Sequence, residues 1–120
     1  MALKLMYITN HPKVAQIAEA AGVDRIFVDM EYIGKSARQV GLDTVQSHHT
    51  LLDVAAIRNS ICKAELLVRC NPIHDASEGV MSTEEEIDGI ISNGADIVML
   101  PYFKTPDEVK RFLAAVRGRA

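Results

Sequence analysis

Arg69 closes an apolar run, Leu66-Leu67-Val68, and is followed by Cys70-Asn71-Pro72. A guanidinium there is a permanent cation at the end of a buried strand, where only the mouth of a fold offers water or a partner. Its planar fork suits a carboxylate or a developing enolate held by two N–H donors, a geometry that lysine does not match. The same fork suits a salt bridge to an acid on a neighbouring strand, and the chain supplies two, Asp29 and Glu31. Two residues apart on an extended run, these carboxylates point the same way. Such a pair suits a divalent metal, a water held for it, or a cation such as Arg69. The plainer alternative is a polar loop start satisfied by its own hydrogen bonds.

Other reactive side chains collect just past the ends of apolar runs. Asn10 and His11 follow the first run and Tyr32 the second; Asn71, His74 and Asp75 follow the third, Tyr102 and Lys104 the fourth. His48 and His49 end the long polar segment that precedes the second helix. All four histidines therefore fall on segments that share one side of the fold, as proton carriers or as ordinary polar loop residues. Cys62 and Cys70 form no Cys-x-x-Cys pair. They read as reduced, packed thiols rather than a metal site or a disulfide framework.

The elements that must position these residues alternate: short apolar β-rich runs, then segments of helical period, which predicts βα units and a parallel sheet. The runs are residues 3–8, 25–30, 65–70 and 96–100. The first helix is expected to start at an Asn10 N-cap, bury Val14, Ile17, Ala18 and Ala21, and close at Gly22. The second spans about 51–62 with Thr50 and Asp53 as its cap; the third opens with Ser82 and Glu85 and turns Ile87, Ile90 and Ile91 inward. The fourth has Thr105, Pro106 and Glu108 at its start and a stripe of Val109, Phe112, Leu113 and Val116. Ala21-Gly22-Val23-Asp24 and Asn93-Gly94-Ala95-Asp96 precede strands in the same way and hint at a repeated module.

Four βα units make half of a (β/α)₈ TIM barrel, whose usual length is roughly 250 residues. An open doubly wound sheet is the competing architecture. A receiver-like sheet of that kind calls for an acidic pair after its first strand, where this chain has Thr9-Asn10, and for a fifth strand. With thirteen basic against sixteen acidic residues and no block of like charge, a nucleic-acid partner is not expected. No apolar stretch approaches the roughly 20 residues of a bilayer span. The start turns polar at Thr9-Asn10-His11-Pro12, so neither a secretory segment nor a membrane partner is expected and the chain is placed in the cytoplasm.

Three motifs in order carry a resemblance: Gly22-Val23-Asp24-Arg25-Ile26-Phe27-Val28-Asp29-Met30-Glu31, Leu66-Leu67-Val68-Arg69-Cys70-Asn71-Pro72, and Gly94-Ala95-Asp96-Ile97-Val98-Met99-Leu100-Pro101. Together they resemble the HpcH/HpaI aldolase and citrate lyase β-subunit family, and Lys35-Ser36-Ala37-Arg38 is similar to a segment of its citrate lyase branch. The resemblance implies a phosphoenolpyruvate/pyruvate-type barrel that makes or breaks a carbon–carbon bond beside a carbonyl with Mg²⁺ or Mn²⁺. It implies that residues 1–120 are the N-terminal half of that barrel, acting on a small 2-oxo acid or an acyl-CoA. It implies that Arg69 holds the substrate, with Asn71 and Tyr32 beside it, and that Glu31 belongs to the acidic motif.

Tyr32 departs from the histidine or aspartate of the family's branches, which leaves His48 or His49 as the candidate base from loop position. The family's two metal carboxylates lie on strands five and six, so the main ligands are expected outside this chain, with Asp29 and Glu31 at most supporting them. A half ring leaves strand edges open and is expected to form a homo-oligomer or to meet a completing half. The alternative from another class is a catalytically silent module that self-associates through those edges.

Overall fold

A computed structural model describes residues 3–32 and 49–120. Lys35, Ser36, Ala37, Arg38 and His48 lie outside the described residues. The elements run β1 (Met6–Ile8), α1 (Pro12–Ala20), β2 (Arg25–Asp29), α2 (Leu51–Ser60), β3 (Glu65–Arg69), α3 (Thr83–Ser92), β4 (Ile97–Met99) and α4 (Pro106–Val116). All strands are parallel and lie in chain order, β1-β2-β3-β4. A doubly wound sheet reverses direction at a switch point, and this one does not. Successive right-handed crossovers in one direction are how a barrel grows, with every helix on the same face.

The two faces of the sheet separate by alternation. Ile26, Val28, Leu66 and Val68 are fully buried and pack with Ala15, Ala18, Val54, Ile57 and Ile90 of the helices. Phe27, Asp29, Leu67 and Arg69 therefore point to the opposite face, the inside of a barrel. Asp29 pairs with Arg69 in register across β2 and β3.

Local details depart from the sequence reading in places. The N-cap of α1 is His11 rather than Asn10, because Pro12 occupies the first helical position, and the His11 side chain forms no cap bond. Ala15 and Ala18 are its buried residues, while Ile17 is 69% exposed. The short α1 lies close against α2, and small residues rather than branched ones fit that seam. On α4, Ala115 and Val116 are buried while Leu113 stays exposed. The capping boxes of α2, α3 and α4 form as expected.

The repeated Gly-x-Asp has a mechanical meaning. Gly22 and Gly94 both adopt positive φ, 103° and 107°, which lets each helix turn sharply into the next strand. The aspartate two residues on then reaches the preceding strand: Leu5 N donates to Asp24 Oδ2 and Leu66 N to Asp96 Oδ2, both at 2.9 Å. The turn before β3 lacks this signature. There the Glu19 carboxylate of α1 takes its place, accepting from Cys62 N at 2.9 Å, Ala64 N at 2.7 Å and Lys63 N.

Candidate active site at the carboxyl end of the sheet

Arg69 is held by Asp29 in a two-point pair, Nε to Oδ1 at 3.0 Å and Nη2 to Oδ2 at 2.7 Å. The Asp29 side chain is 2% exposed and that of Arg69 28%, so the carboxylate is buried while the cation keeps some contact with solvent. Its guanidinium carbon sits 5.4 Å from the centre of the Phe27 ring, one step down β2 on the same face. The Asp29 hydrogen bond raises the affinity of Arg69 for its proton; burial opposes this, and the Asp29, Glu31 and Tyr102 charges reinforce it. Of the two readings left open by the sequence, the strand-to-strand bridge from Arg69 to Asp29 is the one made here.

Glu31 is buried just beyond β2, and its backbone N donates to Asp29 Oδ1 at 3.1 Å. Tyr32 is 44% exposed, with its N donating to Asn71 Oδ1 at 2.8 Å. His49 joins on the other side of β2. The last β1 pairing is Ile8 with Phe27, which leaves the next edge groups of β2 to be met from elsewhere. His49 meets them: Asp29 N donates to His49 Nδ1 at 2.8 Å, and His49 N donates to Asp29 O at 3.3 Å. With Nδ1 accepting, the neutral ring carries its proton on Nε2.

The other candidates do not join this network. His11 and Lys104 are exposed. His74 places Nδ1 2.7 Å from Pro72 O and Nε2 2.7 Å from Met81 O, tying its own loop together. Asp75 pairs with Arg111 on the outer surface. Cys70 is buried, and burial pushes its thiol up to about 12, whereas Cys62 is exposed rather than packed as expected.

Sequence reasoning passed over Glu86. It is one of three acids in the first turn of α3, yet it is 2% exposed and receives both Asn71 N and Asn71 Nδ2 on Oε2, at 3.1 and 2.9 Å. The available signal was its spacing from Thr83 and Ile90, three and four residues away, which puts it on the buried face. Tyr102, directly after Pro101, adopts φ 50°, a strained backbone position at this end.

A cavity of about 40 Å³ lies among Met30, Tyr32, Asn71, His74, Val80, Met81 and Glu86. A wider groove of about 520 Å³ between α3 and α4 touches none of the Asp29–Arg69 network. Among the described residues no group of three His, Cys, Asp or Glu side chains is placed to hold a metal ion. Asp29 already has both carboxylate oxygens on Arg69. The described residues by themselves therefore do not fit a divalent cation.

A family model for HpcH/HpaI aldolase/citrate lyase matches residues 4–120. The chain belongs to the HpcH/HpaI aldolase/citrate lyase family. Two solved structures share the fold of this HpcH/HpaI chain. A phosphonopyruvate hydrolase, crystallised with oxalate and Mg²⁺, matches at TM-score 0.62 and 19% identity over 98% of this chain and 44% of its own. The aldolase QR15 matches at TM-score 0.62 and 16% identity over 99% and 56%. The HpcH/HpaI chain thus spans about half the length of these relatives. Comparison with curated proteins returned no match. Among the described residues no helix is long and apolar enough to cross a membrane.

Proposed function

We propose that this chain carries half the site of a carbon–carbon lyase or aldolase that acts on a small 2-oxo acid or an acyl-CoA through an enolate. The observation that carries the reading is the Asp29-held Arg69, aimed along the inner face at the carboxyl end of a parallel sheet in barrel order. Two of the guanidinium's N–H donors go to Asp29, and the others suit a substrate carboxylate and the negative charge that develops beside it. In cleavage of a 4-hydroxy-2-oxo acid, a base removes the hydroxyl proton, the bond between C3 and C4 breaks, and its electron pair enters the enolate. C3 then takes up a proton. Asn71 and Tyr32 line the substrate's approach, and buried Glu31 adds negative charge next to Arg69. His49, whose Nδ1 accepts from Asp29 N, and His48 are the candidate proton carriers.

Mg²⁺ or Mn²⁺ would need carboxylates from beyond the described residues, in keeping with a site shared between residues 1–120 as an N-terminal half and a completing half or second copy. The setting proposed is the cytoplasm, which suits two free thiols. The test is oxaloacetate decarboxylation and retro-aldol cleavage by the purified chain, with and without Mg²⁺ or Mn²⁺. Little or no turnover is expected from the 120 residues alone; robust metal-dependent turnover by a monomer contradicts the half-site reading. Turnover that survives Arg69→Met in a completed assembly removes Arg69 from the chemistry.

A second reading, a silent module that self-associates through its strand edges, is favoured by β1. Leu5, Met6, Tyr7 and Ile8 are all about half exposed along that edge strand.

A further inference from the structure

We propose that Glu86 is a positioning residue for the Asp29–Arg69 site, acting through the Asn71 side chain on the backbone that carries Glu31 and Tyr32. The inference rests on the reading of Asp29, Glu31 and Arg69 as the site. Glu86 stands on α3, in the helix layer, and reaches inward to the segment just past β3. Its Oε2 receives two donors from one residue, Asn71 N and Asn71 Nδ2.

A carboxamide can be turned either way, and Glu86 decides which. With Nδ2 directed at a carboxylate oxygen, Oδ1 faces Tyr32 N at 2.8 Å and accepts from it. The flipped amide would set oxygen against oxygen at Glu86 and N–H against N–H at Tyr32. The peptides on either side of Glu31 are thereby both held, Glu31 N by Asp29 and Tyr32 N by Asn71. One chain of hydrogen bonds runs from α3 through the end of β3 to the end of β2, where Glu31 adds to the field at Arg69.

A carboxylate is a costly choice for this place if packing were its only task. Burial raises the affinity of Glu86 for a proton, an effect that the Asn71 bonds only offset. Its Oε1 accepts no hydrogen bond among the described residues, and His74 Nε2 stands 3.9 Å from it. Glu86 also walls the 40 Å³ cavity beside Tyr32 and Asn71.

The experiment uses the full chain labelled with ¹⁵N and ¹³C. Scalar couplings across hydrogen bonds are expected from Tyr32 N to Asn71 Cγ and from Asn71 Nδ2 to Glu86 Cδ. Absence of both in the wild type overturns the proposal without any variant. Amide exchange is then compared in Glu86→Gln, which keeps an acceptor, and Glu86→Leu, which does not. The Tyr32 amide should exchange about tenfold faster in Glu86→Leu and return to within about threefold of wild type in Glu86→Gln, with Val28 and Val68 unchanged.

A residue serving stability alone would loosen β3 and α3 together, and a Tyr32 amide unmoved in folded Glu86→Leu refutes the link. If Glu86→Leu does not fold, the wild-type couplings decide. None of these readouts requires turnover. A failed lyase reading would leave them intact, and their failure would leave the response of Arg69 to a carboxylate untouched.

Discussion

Arg69 and Asp29 form a pair whose value lies in aim more than in stability. A buried pair is weak evidence for net stabilisation, because desolvation offsets attraction, but removing one partner strands the other charge. Asp29→Ala should therefore destabilise the chain by about 3 kcal/mol in urea titration, at the low end of the usual range because Arg69 keeps some solvent. An unchanged midpoint would mean that the pair is not formed. The cysteines give a second test at this scale. At pH 8 a thiol pushed up to about 12 is almost wholly protonated, so iodoacetamide should label exposed Cys62 and spare Cys70 until the chain unfolds. Equal labelling of both in the native state would contradict the burial.

Arg69, Asp29 and Glu31 were legible because each is a charge set against an apolar strand, a mismatch that only a site or a bridge relieves. Glu86 was hidden for the opposite reason. It stands in Glu84-Glu85-Glu86, where acids at a helix start are ordinary, and only the fold shows that one of them points inward.

Among the elements, the starts of α2, α3 and α4 were read well because capping is local chemistry, with donor and acceptor three residues apart. The stripe on α1 was not, since which face packs depends on α2. The three backbone donors on Glu19 hold its carboxyl below the ordinary range, burial opposing only in part. A carboxyl depressed in the fold contributes stability above its unfolded value, and that contribution is lost as pH falls through the folded value. Glu19→Gln should thus lower stability at pH 7 by about 1 kcal/mol, discounted for exposure, and flatten the acid limb of the pH–stability curve. An acid limb identical to wild type would show that the clamp is not made. Gly94→Ala is the complementary case: its Cβ would stand 2.5 Å from Arg58 Cγ and Cδ at a φ of 107°. A loss of about 1–3 kcal/mol is expected by thermal unfolding.

For the molecule as a whole, the decisive fact is the strand order. Composition and period predict parallel βα units equally for a barrel and for an open sheet, and only 1-2-3-4 separates them. The partially exposed apolar side chains of β1 follow from that order, because an edge strand of a growing barrel has neighbours on one side only. Sedimentation should show association that rises with concentration and weakens in Tyr7→Lys. A monomer at every concentration would leave the edge without a partner of its own kind.

The most direct measurement follows the Arg69 Nε–Hε resonance in the ¹⁵N-labelled chain as oxalate or pyruvate is added. A saturable shift at Arg69, with accompanying shifts at Glu31, Tyr32 and Asn71 that vanish in Arg69→Lys, is the expected result. An Arg69 signal that stays fixed under a large excess of either ligand would contradict carboxylate recognition at this site.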